Sequence, residues 1–261
     1  MVSLLKGLIK HSPYRLTSND LVPIDLQREI SDFGQFAELA HGSLSPDFIW
    51  NNLEQFSKQG LPLENYTALR GSKILRAFIG DEAKLQGYVA YRPELRQLII
   101  AFSGTCSFAQ AINNFHFIGK SYPHSYNDFH QAWIHSGFWH VYQGVKNYAL
   151  SELEIALNTL DIVEVVLTGH SLGGALSCLL AMDIMQTALP TGLSNWTPPK
   201  GLHIRIITFG SPRIGNLPFV ELYQKLVTDY RRQNGETSVS EIAVKAYNDS
   251  TLFSVFGDSL V

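Results

Sequence analysis

Cysteine is scarce in this chain, and its scarcity excludes two kinds of site. Only Cys106 and Cys178 are present. Two thiols cannot build a disulfide framework, and their separation is not that of a zinc site. The histidines between positions 116 and 140 are not spaced as metal ligands either. We therefore expect no metal ion and no other cofactor.

The chain also lacks a large excess of charge of one sign, and it has no long apolar run. The formal net charge is −3 and lysine and arginine form no run, so the sequence offers no surface for nucleic acid. No stretch of about 18 uninterrupted apolar residues occurs, which predicts no transmembrane segment. The segment Met1–His11 has no long apolar region and no small-residue cleavage site, so we expect no secretory signal and a cytoplasmic location.

The pattern of apolar residues predicts one α/β domain over residues 1–261. Strands alternate with long helices after position 86, which is typical of a mostly parallel sheet flanked by helices. The expected strands are 86–91 and 97–102 as a hairpin, then 161–168, 204–209 and 241–248. The expected helices are 31–40, 47–56, 138–160, 172–189 and 217–231. Residues 1–30 are expected to form an irregular arm, and residues 233–240 are the candidate for a disordered linker.

The most informative segment contains Gly169-x-Ser171-x-Gly173 between an apolar β-branched run and an apolar helix. A strand, a sharp turn and a helix in this order form a nucleophile elbow, with the serine in a strained backbone conformation. The hydroxyl of Ser171 would project from the carboxyl end of the sheet. The N–H of Leu172 would begin the helix and stabilise the oxyanion of a tetrahedral intermediate. A structural serine in a glycine-rich turn is the alternative, and His170 is interpreted as structural.

Four segments, in the right order, resemble the fungal-type class 3 lipases, which have the α/β-hydrolase fold. They are the elbow at 169–175, the strand at 98–105, the His-Ser-Gly-Phe segment at 135–138, and the strand and turn at 207–216. The resemblance implies that Thr105 supplies the second oxyanion donor, although Ser103 stands where the family usually has arginine. It also implies a mobile lid helix over 108–117, for which an ordinary packed helix is the alternative. Ala111 stands where the family usually has a lid tryptophan.

The resemblance further implies a catalytic acid. It would follow the next strand after the turn at 207–216. Asp249 and Asp258 both fit, and Asp249 is preferred because an Asn-Asp pair after a strand resembles the family better. His135 is interpreted as a packing residue, because it precedes Ser171 and this fold uses the order serine, acid, histidine. The last histidine is His203, which precedes both acids. The C-terminal part is therefore expected to be incomplete or replaced, unless the protein is not catalytic by this mechanism.

The elbow predicts a serine carboxylic-ester hydrolase that works through an acyl-enzyme on Ser171, and the resemblance implies triacylglycerol or another acylglycerol as its substrate. The expected partners are the ester substrate and, transiently, a lipid surface. Two alternatives stay open. One is a catalytically impaired, lipase-like protein that binds lipid or a partner, since the expected histidine is absent. The other is a feruloyl-type esterase, because acyl specificity depends on the shape of the pocket.

Overall fold

The computed structural model describes residues 22–104, 119–123, 131–188 and 197–245. Within these ranges a six-stranded sheet runs through the centre of the protein, and a two-stranded ribbon lies beside it. The strands of the central sheet are β1 (Lys73–Ile79), β2 (Gln86–Arg92), β3 (Gln97–Phe102), β6 (Glu164–His170), β7 (His203–Phe209) and β8 (Val239–Val244), and those of the ribbon are β4 (Gly119–Ser121) and β5 (Trp133–His135). The helices are α1 (Ile24–His41), α2 (Pro46–Asn51), α3 (Leu53–Phe56), α4 (Ser136–Thr159), α5 (Leu172–Thr187) and α6 (Leu217–Asn234).

The sheet has the order β1-β2-β3-β6-β7-β8. Strand β2 is antiparallel to both of its neighbours, β1 and β3, whereas β3, β6, β7 and β8 are mutually parallel. Parallel strands place their carboxyl ends at one edge of a sheet. The residues that follow β3, β6, β7 and β8 therefore meet at the same edge.

Helices cover both faces of the sheet, and the alternation of side chains along each strand divides the core in two. On one face Val165 and Leu167 pack with apolar residues of α4, α5 and α6. On the other face Val166 and Ile207 pack with Phe33 and other residues of α1. Strand β6 is buried on both faces, which explains its continuous apolar run.

The predicted hairpin and the predicted parallel strands are confirmed, but several boundaries differ. The strand predicted at 161–168 spans Glu164–His170, the strand predicted at 241–248 spans Val239–Val244, and the helix predicted at 47–56 is divided into α2 and α3. The arm predicted for residues 1–30 is wrong at its end, because α1 already begins at Ile24. Leu26 and Ile30 lie at helical spacing before Phe33 and are only half-buried. The apolar face of α1 therefore begins before its first fully buried residue. The linker proposed for 233–240 is also wrong: α6 continues to Asn234 and β8 starts at Val239.

Strand β1 was not predicted from the sequence. It is an edge strand whose side chains are mostly half-buried or exposed, so its alternation of polar and apolar residues is weak. None of the helices in the described ranges is both long enough and apolar enough to cross a membrane.

Candidate active site

Ser171 lies in the turn that connects β6 to α5, at the carboxyl edge of the sheet. Its backbone has φ 56° and ψ −121°, a conformation that residues other than glycine rarely adopt. Its N–H donates a 2.8 Å hydrogen bond to the carbonyl oxygen of Phe209 at the end of β7, so the turn is fixed to the neighbouring strand. The residue is only 6% exposed. These features are those of the nucleophile elbow that the sequence predicts.

The two glycines of the elbow are required by close backbone contacts. A β-carbon on residue 169 would lie 2.5 Å from the carbonyl carbon of Gly173. A β-carbon on residue 173 would lie 2.2 Å from the carbonyl oxygen of Phe102. Since real β-carbons do not approach other atoms so closely, glycine at both positions lets β3, β6 and the first turn of α5 come together at Ser171.

The side chain of Ser171 faces the end of β3. A β-carbon on Gly104 would lie 3.3 Å from the Cβ of Ser171 and 2.7 Å from the carbonyl oxygen of His170. Residue 105, the predicted second oxyanion donor, is the next residue along the chain. Thr105 itself lies outside the described residues, so its role stays a prediction.

Leu172 is the first residue of α5, as predicted, and its side chain is buried. The first N–H groups of a helix have no acceptor within that helix, and they carry the positive end of the helix dipole. The N–H of Leu172 belongs to this first turn, one residue after Ser171, and its role as an oxyanion donor stays a prediction.

Two histidines lie beside the elbow on the face of the sheet that α1 covers. The rings of His41 and His170 are 5.8 Å apart between centroids and meet edge to face. Burial lowers the pKa of His170, and the neighbouring His41 lowers it further. Sequence reasoning did not identify His41, because it ends a helix far upstream of the elbow and belongs to no recognisable motif.

The segment around His135 is structural, as predicted. The Nδ1 of His135 accepts a 3.2 Å hydrogen bond from the N–H of Gly137 at the start of α4. Its ring stacks on Phe138 at 4.3 Å. Asn216, from the resembling turn at 207–216, accepts hydrogen bonds from the N–H groups of Trp133 and Phe219 through the same side-chain oxygen. These contacts join β5 to α6 beside the active-site edge.

The predicted acid and lid lie outside the described residues. Strand β8 ends at Val244 on the same edge as Ser171, and its last carbonyl accepts a 2.7 Å hydrogen bond from the N–H of Gly210. Asp249 follows this strand, and Asp258 comes later in the chain, so both stay predictions, as does the lid at 108–117. Within the described ranges no group of three or more histidine, cysteine or acidic side chains is arranged to hold a metal ion.

The mostly parallel sheet, the helices on both faces and a strained serine between β6 and α5 together define an α/β-hydrolase fold with a nucleophile elbow. Comparison with known families identifies the branch. The family model described as Lipase (class 3) matches residues 99–244, which include most of β3, the elbow and β8. The chain belongs to the class 3 lipase family.

Individual relatives agree with this assignment. A lipase of Rhizopus niveus is 31% identical over 160 residues, which are 61% of this chain and 38% of the relative. A chloroplastic phospholipase A(1) of Arabidopsis thaliana is 26% identical over 257 residues, covering 81% of this chain and 55% of the relative. The chain thus spans about half or less of the length of these curated relatives. A solved triacylglycerol lipase, whose catalytic centre is described as a serine protease triad, superposes with a TM-score of 0.64 at 21% identity and covers 85% of this chain and 72% of its own.

Proposed function

We propose that this protein is a serine carboxylic-ester hydrolase that cleaves acylglycerols. The observation that carries the proposal is the strained backbone of Ser171, which holds the side chain against Gly104 at the end of β3. In that position Ser171 lies between the end of β3 and the start of α5, where its hydroxyl can attack a substrate carbonyl. Membership of the class 3 lipase family and the names of the relatives support an acylglycerol as the substrate.

The proposed reaction has two halves. A base takes the proton of the Ser171 hydroxyl while the oxygen attacks the ester carbonyl carbon. The N–H groups of Leu172 and Thr105 receive the resulting oxyanion. The bond to the alcohol then breaks, and the alcohol leaves with the proton. In the second half, water attacks the acyl-enzyme in the same way and releases the fatty acid. One oxyanion donor typically contributes a factor of about 10²–10³ in rate.

Hydrolysis assays with three substrates test the proposal and separate it from its alternatives. We expect fatty acid release from a dioleoylglycerol emulsion, and loss of that release in Ser171→Ala. Faster release from dioleoylphosphatidylcholine vesicles would instead assign the phospholipase activity that the Arabidopsis relative is named for. Preferential cleavage of ethyl ferulate would favour the feruloyl-type esterase. Lipid binding without cleavage of any ester would favour the non-catalytic binding protein and contradict the proposal.

We further propose transient contact with a lipid surface through the edge of the sheet that carries Ser171. Two large apolar side chains are exposed there, Trp133 at 53% and Leu217 at 69%. They are close in the fold, because Asn216, which precedes Leu217, accepts a 2.9 Å hydrogen bond from the N–H of Trp133. Tryptophan is favoured where an apolar surface meets water. Trp133→Ser with Leu217→Ser should reduce co-flotation with triolein emulsion, and unchanged flotation would contradict this contact.

A further inference from the structure

The side chain of His170, the residue before the nucleophile, lies beside the end of α1 and the turn that follows β7. Its ring meets the ring of His41, the last residue of α1, edge to face at 5.8 Å between centroids. At the end of β7, a β-carbon on Gly210 would lie 3.6 Å from the Nε2 and 3.8 Å from the Cδ2 of the same ring. The ring of His170 is therefore close both to the end of a helix and to the backbone that follows the neighbouring strand.

Both of these neighbours are fixed to the central sheet. The side chain of Gln86 on β2 donates a 3.3 Å hydrogen bond to the carbonyl oxygen of Ala40 in the last turn of α1. The carbonyl oxygen of Gln86 accepts a 2.8 Å hydrogen bond from the N–H of Ser103 at the end of β3. The N–H of Gly210 donates a 2.7 Å hydrogen bond to the carbonyl oxygen at the end of β8. The ring of His170 thus lies against two segments that other hydrogen bonds hold in place.

The strained backbone of Ser171 depends on contacts of this kind. A residue other than glycine keeps a φ of 56° only where its surroundings over-determine it. After Ser171, the close approach of Gly173 to Phe102 holds the turn. Before it, the side chain of His170 is placed to hold the turn through the end of α1 and the end of β7. If that ring left its neighbours, the strain at Ser171 would favour a return to an ordinary backbone conformation.

The described surroundings of His170 favour a neutral ring. The residue is exposed in part, so it can exchange a proton with solvent. Its partial burial lowers its pKa, and the facing His41 lowers it further. On this edge of the sheet the described part of the chain also carries Arg213 after β7 and Lys245 after β8, which are cations themselves. Glu38 on α1 already accepts a hydrogen bond from a tyrosine hydroxyl, and the end of β3 and the first turn of α5 carry no charged side chain.

We propose that His170 is a positioning residue whose neutral ring holds Ser171 in its attacking conformation, and that a proton on this ring releases the nucleophile. This inference rests on the proposed function and adds an acid-sensitive control to the same site. Lowering the pH places a positive charge on His170, and the charged ring withdraws from His41 and Gly210 toward water. The elbow then relaxes and attack by Ser171 slows. Raising the pH again removes the proton and restores the elbow.

The test is the rate at which a fluorophosphonate ester labels Ser171 in the full chain. At about pH 8, where histidine is neutral, we expect His170→Ala to slow labelling about 10- to 100-fold, because the ring is lost and the nucleophile is misplaced. His170→Phe keeps a ring that cannot take up a proton and should restore most of that rate. His203→Phe is the matched control, because this exposed residue begins β7 at the opposite end of the sheet, and it should label at the wild-type rate at the same pH.

The dependence of the labelling rate on pH tests the proton-dependent step. Below about pH 6.5 the rate of the wild type should fall more steeply than that of His170→Phe, by about a further tenfold per pH unit, because one more proton inactivates the wild type. The base that activates Ser171 contributes equally to both curves and cancels from the comparison. Circular dichroism at each pH restricts the comparison to folded protein, and the wild-type rate should recover on return to about pH 8.

The outcomes are separable. Equal labelling rates of wild type and His170→Ala would overturn the positioning role, and parallel pH curves of wild type and His170→Phe would overturn the proton-dependent release. Either result leaves the proposed function standing, whereas wild-type protein that does not label at all would overturn both. Thermal melting identifies an unfolded variant. If His170→Ala is unfolded, the pH curves of wild type and His170→Phe decide, and parallel curves mean that the proposal fails.

Discussion

The carbonyl oxygen of Phe102 occupies the space that a side chain on Gly173 would need. The β-carbon of an alanine at position 173 would lie 2.2 Å from that oxygen and 2.9 Å from the carbonyl oxygen of Ser103. Both obstacles are backbone atoms, which cannot rotate away. The elbow and the end of β3 are therefore built as one unit, in which the approach of Gly173 to Phe102 sets the distance between the nucleophile and the oxyanion segment.

Gly173→Ala should destabilise the protein by about 1–3 kcal/mol, because the backbone must shift to accommodate the added methyl group. The same shift should remove ester hydrolysis by moving Ser171 away from Gly104. The control is Gly34→Ala on α1, where the new methyl group would meet the ring of Phe209 at an ordinary 3.5 Å. That change should be neutral or stabilise by up to about 1 kcal/mol, as alanine does in helices. Urea unfolding measures both variants, and equal midpoints would contradict the close packing described here.

Ser171→Gly should be more stable than Ser171→Ala by about 1 kcal/mol, although both lose the hydroxyl. The backbone at φ 56° is strained for any residue with a β-carbon, whereas glycine adopts it freely. The larger entropy of unfolded glycine offsets part of the gain. Thermal melting of the two inactive variants measures the strain stored at the nucleophile. A lower melting temperature for the glycine variant would show that the turn is not strained.

Asp183 on α5 is only 4% exposed, and two side chains of α4 contact its carboxylate. The hydroxyl of Tyr142 donates to its carboxylate, and the Nζ of Lys146 lies 2.7 Å from the same oxygen. Asp183→Asn leaves Lys146 without its partner and should destabilise the protein by about 3 kcal/mol. Asp25→Asn, which breaks the exposed pair with Arg28, should cost less than about 1 kcal/mol. Urea unfolding measures the free energy of unfolding of both variants. If Asp183→Asn lost as little of it as Asp25→Asn, the buried pair would contribute little to stability.

Stability should fall as the pH is lowered through about 6.5, the ordinary pKa of histidine. Burial lowers the pKa of both His135 and His170 in the folded protein. The unfolded chain then binds protons that the folded chain does not, so acid favours unfolding from about pH 6.5 down to the lowered values. His170→Asn should make the urea midpoint less dependent on pH over this window. An unchanged slope for His170→Asn would contradict the lowered pKa.

The sequence predicted the elbow and the strands around it for a physical reason. Strand β6 is buried on both faces, and the elbow requires glycine at 169 and 173, so local chemistry and global fold agree there. Edge strand β1 is half-exposed and left no such pattern. The place of His41 depends on Gln86 bringing the end of α1 to the end of β3, which is a tertiary contact between distant segments. No local pattern encodes that contact, so the histidine pair at the elbow emerged only from the fold.

The most direct test of the account is the site of covalent modification by a fluorophosphonate ester, mapped by mass spectrometry of the digested protein. The elbow geometry predicts one adduct, on the peptide that carries Ser171, and no adduct in Ser171→Ala. Wild-type protein in which Ser171 stays unmodified, or in which another serine carries the adduct, would contradict the assignment of Ser171 as the nucleophile.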